Sequence, residues 1–240
     1  RVPDAGTLSA LLPLVDSAAL TVTVPAPGED GSAQLAPGQA VDLGGIAKGY
    51  ASDCVEAALR RNGAENAMVY LGGNVLVLGA KADGSAWRVA VQDPEDPSAY
   101  AGVLSLTDAF AVTSGGYQRY FEENGVRYQH ILDPKTGYPA ESGLTSVTVV
   151  AAANGPDYDS EAPAPGSGAM CDAFSTALFV LGEEKALDFW RTSGYDFELV
   201  LVTEDGRVLV TEGLADRFEQ TEGSAYRYEL IPRADEARPG

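Results

Sequence analysis

The chain has 240 residues, 45% of them hydrophobic and 21% charged, which is ordinary for a globular protein with a sizeable core. Its 35 acidic residues outnumber 16 basic ones, and the net charge of −19 argues against nucleic-acid binding because this field repels phosphate backbones. No apolar run approaches the ~20 residues that a membrane-spanning helix needs. A polyanionic ligand would therefore require a local source of positive charge or hydrogen-bond donors, such as a metal ion or backbone amides.

The N-terminal quarter predicts two helices around a strand. The chain opens without a signal-peptide pattern, so we expect a mature or trimmed start. Apolar spacing predicts a short helix over residues 5–16, and β-branched alternation predicts a strand over Ala19–Val24. A Gly/Pro/Asp-rich stretch over 25–40 predicts a hairpin turn at residues 29–31. An amphipathic helix is expected over Ala47–Asn62, ending at a glycine.

The middle of the chain predicts strands. One strand is expected over Val69–Leu78, broken by the segment Gly72-Gly73-Asn74. Residues 117–122 suit either a short strand or a helical turn. Further strands are predicted at Trp87–Gln92, Val103–Leu106 and Thr145–Ala153.

The C-terminal part predicts an exposed loop over 154–168, then two helices and a strand pair. The helices are expected over Asp172–Leu181 and Glu183–Ser193, and the paired strands over Phe197–Thr203 and Val208–Thr211. Because helices and strands mix without a regular βαβ rhythm, the pattern predicts an α+β fold with a largely antiparallel sheet and packed helices. We expect a single domain over residues 1–232 and a disordered tail over 233–240.

Three glycine-bearing segments are candidates for ligand contact. In residues 41–50 an acidic residue, two glycines and a helix start would expose backbone amides at the positive end of a helix dipole. The same pattern also suits a tight strand-to-helix turn. The glycine pair in residues 71–74 indicates a bulge or the close approach of a ligand or another backbone. Residues 113–120 contain Arg119, which suits either a phosphate or a surface ion pair.

His130 is the only histidine, and it lies in a dense segment, residues 129–139, with Asp, Pro, Thr and Gly. Histidine has the side-chain pKa nearest neutrality, so it can hold or transfer a proton. The alternative is a histidine that caps a turn or forms a core hydrogen bond.

Asp172 and Thr176 are four residues apart, so a helix places them on one face. Ser175 lies beside them. Carboxylate and hydroxyl oxygens are hard ligands that suit Mg²⁺, which usually keeps waters and shares substrate phosphates. The alternative is Asp172 as a helix N-cap, a position that favours Asp. Cys54 and Cys171 have no metal-ligand spacing, and the sequence leaves open whether they are free or joined in a disulfide.

Together, and in this order, these segments resemble the ApbE family of flavin transferases from about residue 13 to residue 210. The matching strings are DLGGIAKGYA at 42–51, LGGN at 71–74, SGGYQRYF at 114–121, HILDPKTGYP at 130–139 and DAFSTALFVLG at 172–182. The resemblance implies a T-fold-like α+β fold and a Mg²⁺-dependent FAD:protein FMN transferase. Such an enzyme splits the FAD pyrophosphate, releases AMP and joins FMN through a phosphoester to a Thr or Ser of a partner protein.

The resemblance also implies roles for individual residues. The metal would be held by the side chains of Asp172 and Thr176, a backbone carbonyl near Gly45 and, as a further contributor, Ser175. His130 and Asp172 would be catalytic, with His130 orienting the pyrophosphate, orienting the acceptor hydroxyl or moving a proton. The residues implied to contact FAD are Asp42, Lys48, Gly72, Gly73, Asn74, His130 and Ile131.

The resemblance further implies an extracytoplasmic lipoprotein, membrane-anchored in its full-length form through an anchor outside this chain. It would act on a flavin-bearing subunit of an electron-transport complex. The chain departs from the family pattern in lacking the usual N-terminal segment and in a longer loop over 154–168. Two alternative functions stay open: an FAD pyrophosphatase that yields FMN and AMP, and a flavin-binding module without turnover.

Overall fold

The computed structural model describes residues 2–24, 30–117, 119–153 and 164–233. The helices in this part are α1 (Ala5–Leu11), α2 (Ala47–Arg61), α3 (Ser167–Leu181) and α4 (Glu183–Thr192), with short 3-10 turns at Leu12–Leu14, Ser17–Ala19 and Glu212–Leu214. The strands are β1 (Thr21–Thr23), β2 (Ser32–Gln34), β3 (Ala67–Leu71), β4 (Asn74–Leu78), β5 (Trp87–Gln92), β6 (Tyr100–Leu106), β7 (Ala109–Gly115), β8 (Tyr120–Glu123), β9 (Val126–Gln129), β10 (Leu144–Ala152), β11 (Glu198–Thr203), β12 (Arg207–Thr211), β13 (Phe218–Gln220) and β14 (Arg227–Ile231). Among these helices, none has the length and apolar character to cross a membrane.

A seven-stranded sheet forms the centre of the molecule, in the order β14-β12-β11-β10-β7-β4-β3. Its neighbouring strands are antiparallel except for the parallel pair β12–β14. A second sheet has the order β13-β6-β5, and two small hairpins pair β1 with β2 and β8 with β9. The predicted α+β fold with a largely antiparallel sheet is therefore confirmed.

Both faces of the large sheet are covered, which gives three layers. Leu76 and Leu78 of β4 belong to the cluster shared with α3 and α4, whereas Val77 between them belongs to the cluster shared with β5 and β6. Successive side chains of β4 lie on opposite faces of the sheet because a strand has a two-residue side-chain period. Because both faces are buried, the central strands are nearly continuous runs of apolar or small residues and show little alternation.

The predicted single strand over Val69–Leu78 is wrong. The chain forms the antiparallel hairpin β3–β4, and Gly72 and Gly73 make its two-residue turn with φ values of 54° and 99°. Positive φ at both turn positions is the backbone of a type I′ turn, which glycine adopts without steric cost. The turn lies next to the start of α2 and thus borders the candidate site.

The predicted start of α3 at Asp172 is also wrong, because the helix begins at Ser167. Asp172 is its sixth residue, and the N-cap position is Gly166, which forms no side-chain cap. The hypothesis that Asp172 caps the helix is therefore excluded.

Other elements differ in detail. Strand β7 was not predicted, because its small residues show no alternation, and β9, β13 and β14 were also missed. The segment over 117–122 contributes only the start of β8. The predicted pairing of the two strands after residue 197 is confirmed. Strands β1 and β2 form a hairpin, but the predicted turn there lies partly outside the described residues. Most of the loop over 154–168 and most of the predicted tail also lie outside them, and the single-domain boundary stays a prediction.

Candidate active site

Asp172 occupies the second turn of α3 and is only 2% exposed. The backbone N–H of Gly49, in the first turn of α2, donates to its Oδ2 over 2.8 Å. Within the described residues, its other carboxylate oxygen, Oδ1, accepts no hydrogen bond. A carboxylate taken out of water requires charge partners or donors. Oδ1 is therefore the atom of this side chain that is available to a cation.

The loop before α2 leaves a main-chain oxygen available. Gly45 precedes the N-cap residue Ile46, so its carbonyl lies before the hydrogen-bond ladder of α2. The N–H of Gly49, four residues later, donates to Asp172, and no backbone N–H of the described segments donates to the Gly45 carbonyl. A Cβ at Gly45 would meet no heavy atom within 4 Å, so the space around this residue is open.

Three hydroxyl groups meet between β7 and α3. Ser114 Oγ lies 2.8 Å from Ser175 Oγ and 3.1 Å from Thr176 Oγ1, and Ser175 Oγ donates to the carbonyl oxygen of Asp172 over 3.0 Å. The two helical hydroxyls were predicted as site residues, whereas Ser114 was not.

These contacts fix the direction of the hydroxyl protons. Ser175 has one proton and gives it to a carbonyl, so Ser114 must donate to Ser175, and Thr176 must then donate to Ser114. Because Thr176 Oγ1 is a donor in this chain of hydrogen bonds, both of its lone pairs stay available to a cation. Ser175, by contrast, is fully buried with two partners, so it is the least available of the predicted metal ligands.

The available donors are thus a carboxylate, a hydroxyl and a main-chain carbonyl, on Asp172, Thr176 and Gly45. All three are hard oxygen atoms of the kind that Mg²⁺ prefers. Across the described residues, no three His, Cys, Asp or Glu side chains cluster as a metal site. Such a sparse donor set suits Mg²⁺, which commonly takes one or two carboxylates and completes its shell with water and substrate phosphate.

Lys48 and the β3–β4 turn form a second part of the site. Lys48 Nζ lies 3.4 Å from the carbonyl oxygen of Gly72 and 3.4 Å from Asn74 Oδ1, so the predicted binding residues of two separate segments meet. Asn74 is 1% exposed, and its Nδ2 has no hydrogen-bond partner in the described structure. An unpaired buried donor is destabilising, and a ligand oxygen would satisfy it.

Asp42 has a local role in the structure. Its Oδ1 accepts the backbone N–H of Gly44 over 2.6 Å and closes the turn that precedes α2. Asp42 is exposed, and among the described residues no hydrogen bond or ion pair joins it to Lys48 or to the β3–β4 turn. Its predicted contact with FAD stays a prediction.

His130 is exposed, and its ring is oriented by the chain that precedes it. Its backbone N–H donates to the carbonyl of Arg119 over 3.2 Å, and Nδ1 lies 3.1 Å from the same oxygen. Because a carbonyl oxygen only accepts, Nδ1 carries a proton, and the neutral ring then presents Nε2 as an acceptor. The contact at Nδ1 supports the interpretation of His130 as a turn-capping residue, and the chemical role of Nε2 stays a prediction.

The histidine segment adjoins the end of β7, because Gly116 packs so closely on Gln129 that a Cβ there would collide with its side chain. No hydrogen bond or ion pair of the described residues joins His130 to α2 or α3. Ile131 is 5% exposed and its side chain belongs to the hydrophobic core. The predicted contact of Ile131 with FAD can therefore use only its main chain.

Comparison with known proteins agrees with this geometry. The family model described as ApbE family matches residues 1–201. The chain belongs to the ApbE family. Two similar relatives are the FAD:protein FMN transferases of Haemophilus influenzae, 35% identical over 75% of this chain and 49% of that protein, and Treponema pallidum, 38% identical over 79% and 51%. The chain thus spans about half the length of these curated ApbE relatives.

Solved structures of ApbE proteins match the fold. The Thermotoga maritima ApbE protein superposes with a TM-score of 0.69 at 31% identity, covering 92% of this chain and 63% of that one. The apo Pseudomonas stutzeri flavinyl transferase ApbE gives a TM-score of 0.64 at 33% identity, covering 92% and 59%. The predicted ApbE-like fold is therefore confirmed.

Sequence reasoning missed Asp53 on α2, which is 3% exposed. Its carboxylate accepts the backbone N–H groups of Gly166, Gly168 and Ala169 at the start of α3, over 2.8, 2.7 and 3.0 Å. The sequence did contain a signal for this role: Asp53 is an acidic residue on the predicted buried face of an amphipathic helix, and a buried charge requires hydrogen-bond partners.

Cys54 and Cys171 are both free, which answers the question that the sequence left open. Burial raises the pKa of the Cys171 thiol, and the negative charges of Asp53 and Asp172 raise it further. This buried cysteine is therefore held as a neutral thiol next to Asp172 of the candidate site.

Proposed function

We propose that this chain carries the catalytic site of a Mg²⁺-dependent FAD:protein FMN transferase. The observation that carries the proposal is the state of Asp172: its Oδ2 is held by Gly49, while its Oδ1 accepts no hydrogen bond in the described structure and Thr176 lies one helical turn further along α3. The names of the curated relatives and their similarity to three quarters of this chain support the same assignment.

In this proposal Asp172 and Thr176 hold the metal, the carbonyl of Gly45 adds a main-chain ligand, and Ser175 supports the arrangement from behind. Mg²⁺ bound there would neutralise the pyrophosphate of FAD and stabilise the departing AMP. A protein with a net charge of −19 needs such a cation to receive two adjoining phosphates.

The start of α2 supplies the remaining attraction for the pyrophosphate. Its N-cap position, Ile46, offers no side-chain acceptor, and the Gly49 N–H is already taken by Asp172, so within the described residues the Lys48 N–H is the first-turn donor left for a phosphate. Lys48 adds a full positive charge, and Nδ2 of Asn74 adds a hydrogen-bond donor. These groups orient FAD with its pyrophosphate beside Asp172.

The transfer step is a displacement at the FMN phosphorus. The hydroxyl oxygen of an acceptor Thr or Ser forms the new P–O bond as the bond to AMP breaks, and the hydroxyl proton moves to Nε2 of His130. A hydroxyl is a weak nucleophile, so a positioned base and charge neutralisation both contribute. The Nδ1–H bond to the Arg119 carbonyl selects the tautomer of the neutral ring in which Nε2 is the acceptor.

We further propose that the acceptor is a flavin-bearing electron-transport subunit outside the cytoplasmic membrane. The support is the resemblance of the five sequence segments to the ApbE pattern. Expression of the full-length gene product followed by fractionation of its host tests the location, and recovery in the cytoplasmic fraction alone contradicts it.

The test of the activity uses the purified chain with FAD, Mg²⁺ and a pool of Thr- and Ser-containing peptides, with a pool lacking both residues as control. We expect peptides that gain the mass of FMN less one water, as a phosphoester requires, together with stoichiometric AMP, and no product in the presence of excess chelator. AMP and free FMN without any modified peptide would instead identify the pyrophosphatase activity. FAD binding without AMP release would identify a binding module.

A further inference from the structure

The contact between α2 and α3 contains two carboxylates that face each other's helices. Asp172 of α3 accepts the N–H of Gly49 in the first turn of α2, and Asp53 of α2 accepts three N–H groups around the first turn of α3. Residues 49 and 53 are one turn apart on α2, as residues 168 and 172 are on α3. The two links are therefore reciprocal and share one antiparallel register.

A glycine contact lies between the two links. A Cβ on Gly49 would collide with the Gly168 carbonyl oxygen and lie 2.6 Å from the Cβ of Asp172. A Cβ on Gly168 would lie 2.6 Å from both Asp53 Oδ1 and the Gly49 carbonyl oxygen. This closeness leaves no room for the helices to shift along each other while both links stay formed.

Asp53 supplies the cap that α3 lacks. The N-cap residue of α3, Gly166, has no side chain to accept its N–H groups. Both oxygens of Asp53 are used instead, Oδ1 by Gly168 and Oδ2 by Gly166 and Ala169. The position of the first turn of α3 is thus set by a residue more than a hundred positions earlier in the chain.

We infer that Asp53 is a positioning residue for Asp172: it fixes the register of α3 on α2, and this register keeps Asp172 Oδ2 on the Gly49 N–H and Oδ1 available to the metal. The metal part of this inference rests on the proposed function. Both oxygens of Asp53 are already bonded to N–H groups of α3, so it acts through the helix pair.

The test compares Asp53→Asn, which keeps one acceptor oxygen, and Asp53→Ala, which keeps none, with Val208→Ala. Val208 is buried in the other hydrophobic cluster, beyond the central sheet, so its truncation lowers stability without touching the helix pair. Two quantities are measured well below the melting temperature of every variant: amide hydrogen exchange at Gly49, and binding of Mn²⁺ in the presence of FAD by electron paramagnetic resonance.

We expect Asp53→Asn to speed exchange at Gly49 selectively and to weaken Mn²⁺ binding by about tenfold, within the range seen when a residue that orients a metal ligand is lost. Asp53→Ala should produce the larger change in both, and Val208→Ala should produce neither. Unchanged Gly49 exchange, or unchanged Mn²⁺ affinity despite faster exchange, would overturn the inference. If the unmodified chain binds no Mn²⁺, the proposed function fails instead, and exchange at Gly49 alone then decides whether Asp53 sets the register.

Discussion

Two buried carboxylates, Asp53 and Asp172, lie at opposite ends of the α2–α3 contact, and they differ in the number of hydrogen bonds that they accept. Asp53 accepts three N–H groups through both of its oxygens, whereas Asp172 accepts one through Oδ2 and keeps Oδ1 without a hydrogen bond in the described structure. Both side chains are almost completely buried. The difference teaches that burial alone does not mark a functional carboxylate; the count of its hydrogen-bond donors separates the residue that holds the fold from the one that can bind a ligand.

The largest effect should come from Asp172→Asn. The amide keeps an oxygen for the Gly49 N–H, so the unfolding free energy should change by less than about 1 kcal/mol. It removes the charge that the metal requires, so FMN transfer should fall on the order of 10³-fold, the scale of losing one charge-stabilising group. The rate of peptide modification checks the predicted loss of activity, and chemical denaturation checks the predicted retention of stability. A variant that loses stability in step with activity would remove the contrast with Asp53.

Asp53→Ala should show the opposite balance. Three N–H groups at the start of α3 would lose their acceptor, and buried unpaired donors cost ~1–3 kcal/mol each, partly recovered by water at this helix end. We expect a loss of about 3 kcal/mol in the free energy of unfolding, measured in urea, against a smaller loss for Asp172→Ala, which leaves only the Gly49 N–H without its acceptor. Equal losses for the two alanine variants would contradict the division of roles.

Gly168→Ala tests the closeness that couples the two carboxylates. Its Cβ would press on the main chain of Gly49 and on Asp53, and overpacking of this kind costs about 1–3 kcal/mol. Gly45→Ala is the matched control, because a Cβ there meets nothing within 4 Å, and its unfolding free energy should change by less than about 0.5 kcal/mol. Thermal melting of both variants is sufficient, and a stable Gly168→Ala would show that the helices can separate freely.

Ser114→Ala should have the smallest effect, confined to the Asp172 side of the comparison. Without the Ser114 oxygen, the Thr176 hydroxyl can rotate, and we expect the Mg²⁺ concentration for half-maximal transfer to rise about threefold to tenfold. Thr113→Val, on the neighbouring residue of β7, removes a hydrogen bond to Thr148 and serves as control. Equal Mg²⁺ requirements in the two variants would show that Ser114 does not orient Thr176.

Sequence reasoning recovered the parts of this arrangement that are local in the chain. The helical spacing of Asp172 and Thr176 placed both on one face, and the glycine pair at 72–73 marked a main-chain feature beside the site. Regular patterns of this kind are visible because a helix or a turn depends on residues within a few positions.

The parts that sequence reasoning missed depend on distant partners. The start of α3 was placed too late because its cap is Asp53 and not a neighbouring residue. The bond from the Gly49 N–H to Asp172 joins two helices that are distant in the chain, and the order of the hydroxyl protons follows from Ser114 on a separate strand. Ile131 lies inside a matching string, yet its side chain packs in the core. Such pairings between separate segments arise only when the fold is formed.

The most direct measurement of the central claim is a crystal structure of the chain with FAD and Mn²⁺, in which anomalous scattering locates the metal. The account predicts a metal bound by Asp172 Oδ1 and Thr176 Oγ1 and in contact with the FAD pyrophosphate, while Asp53 keeps its three N–H donors. A metal bound at Asp53, or one bound away from Asp172, would contradict it.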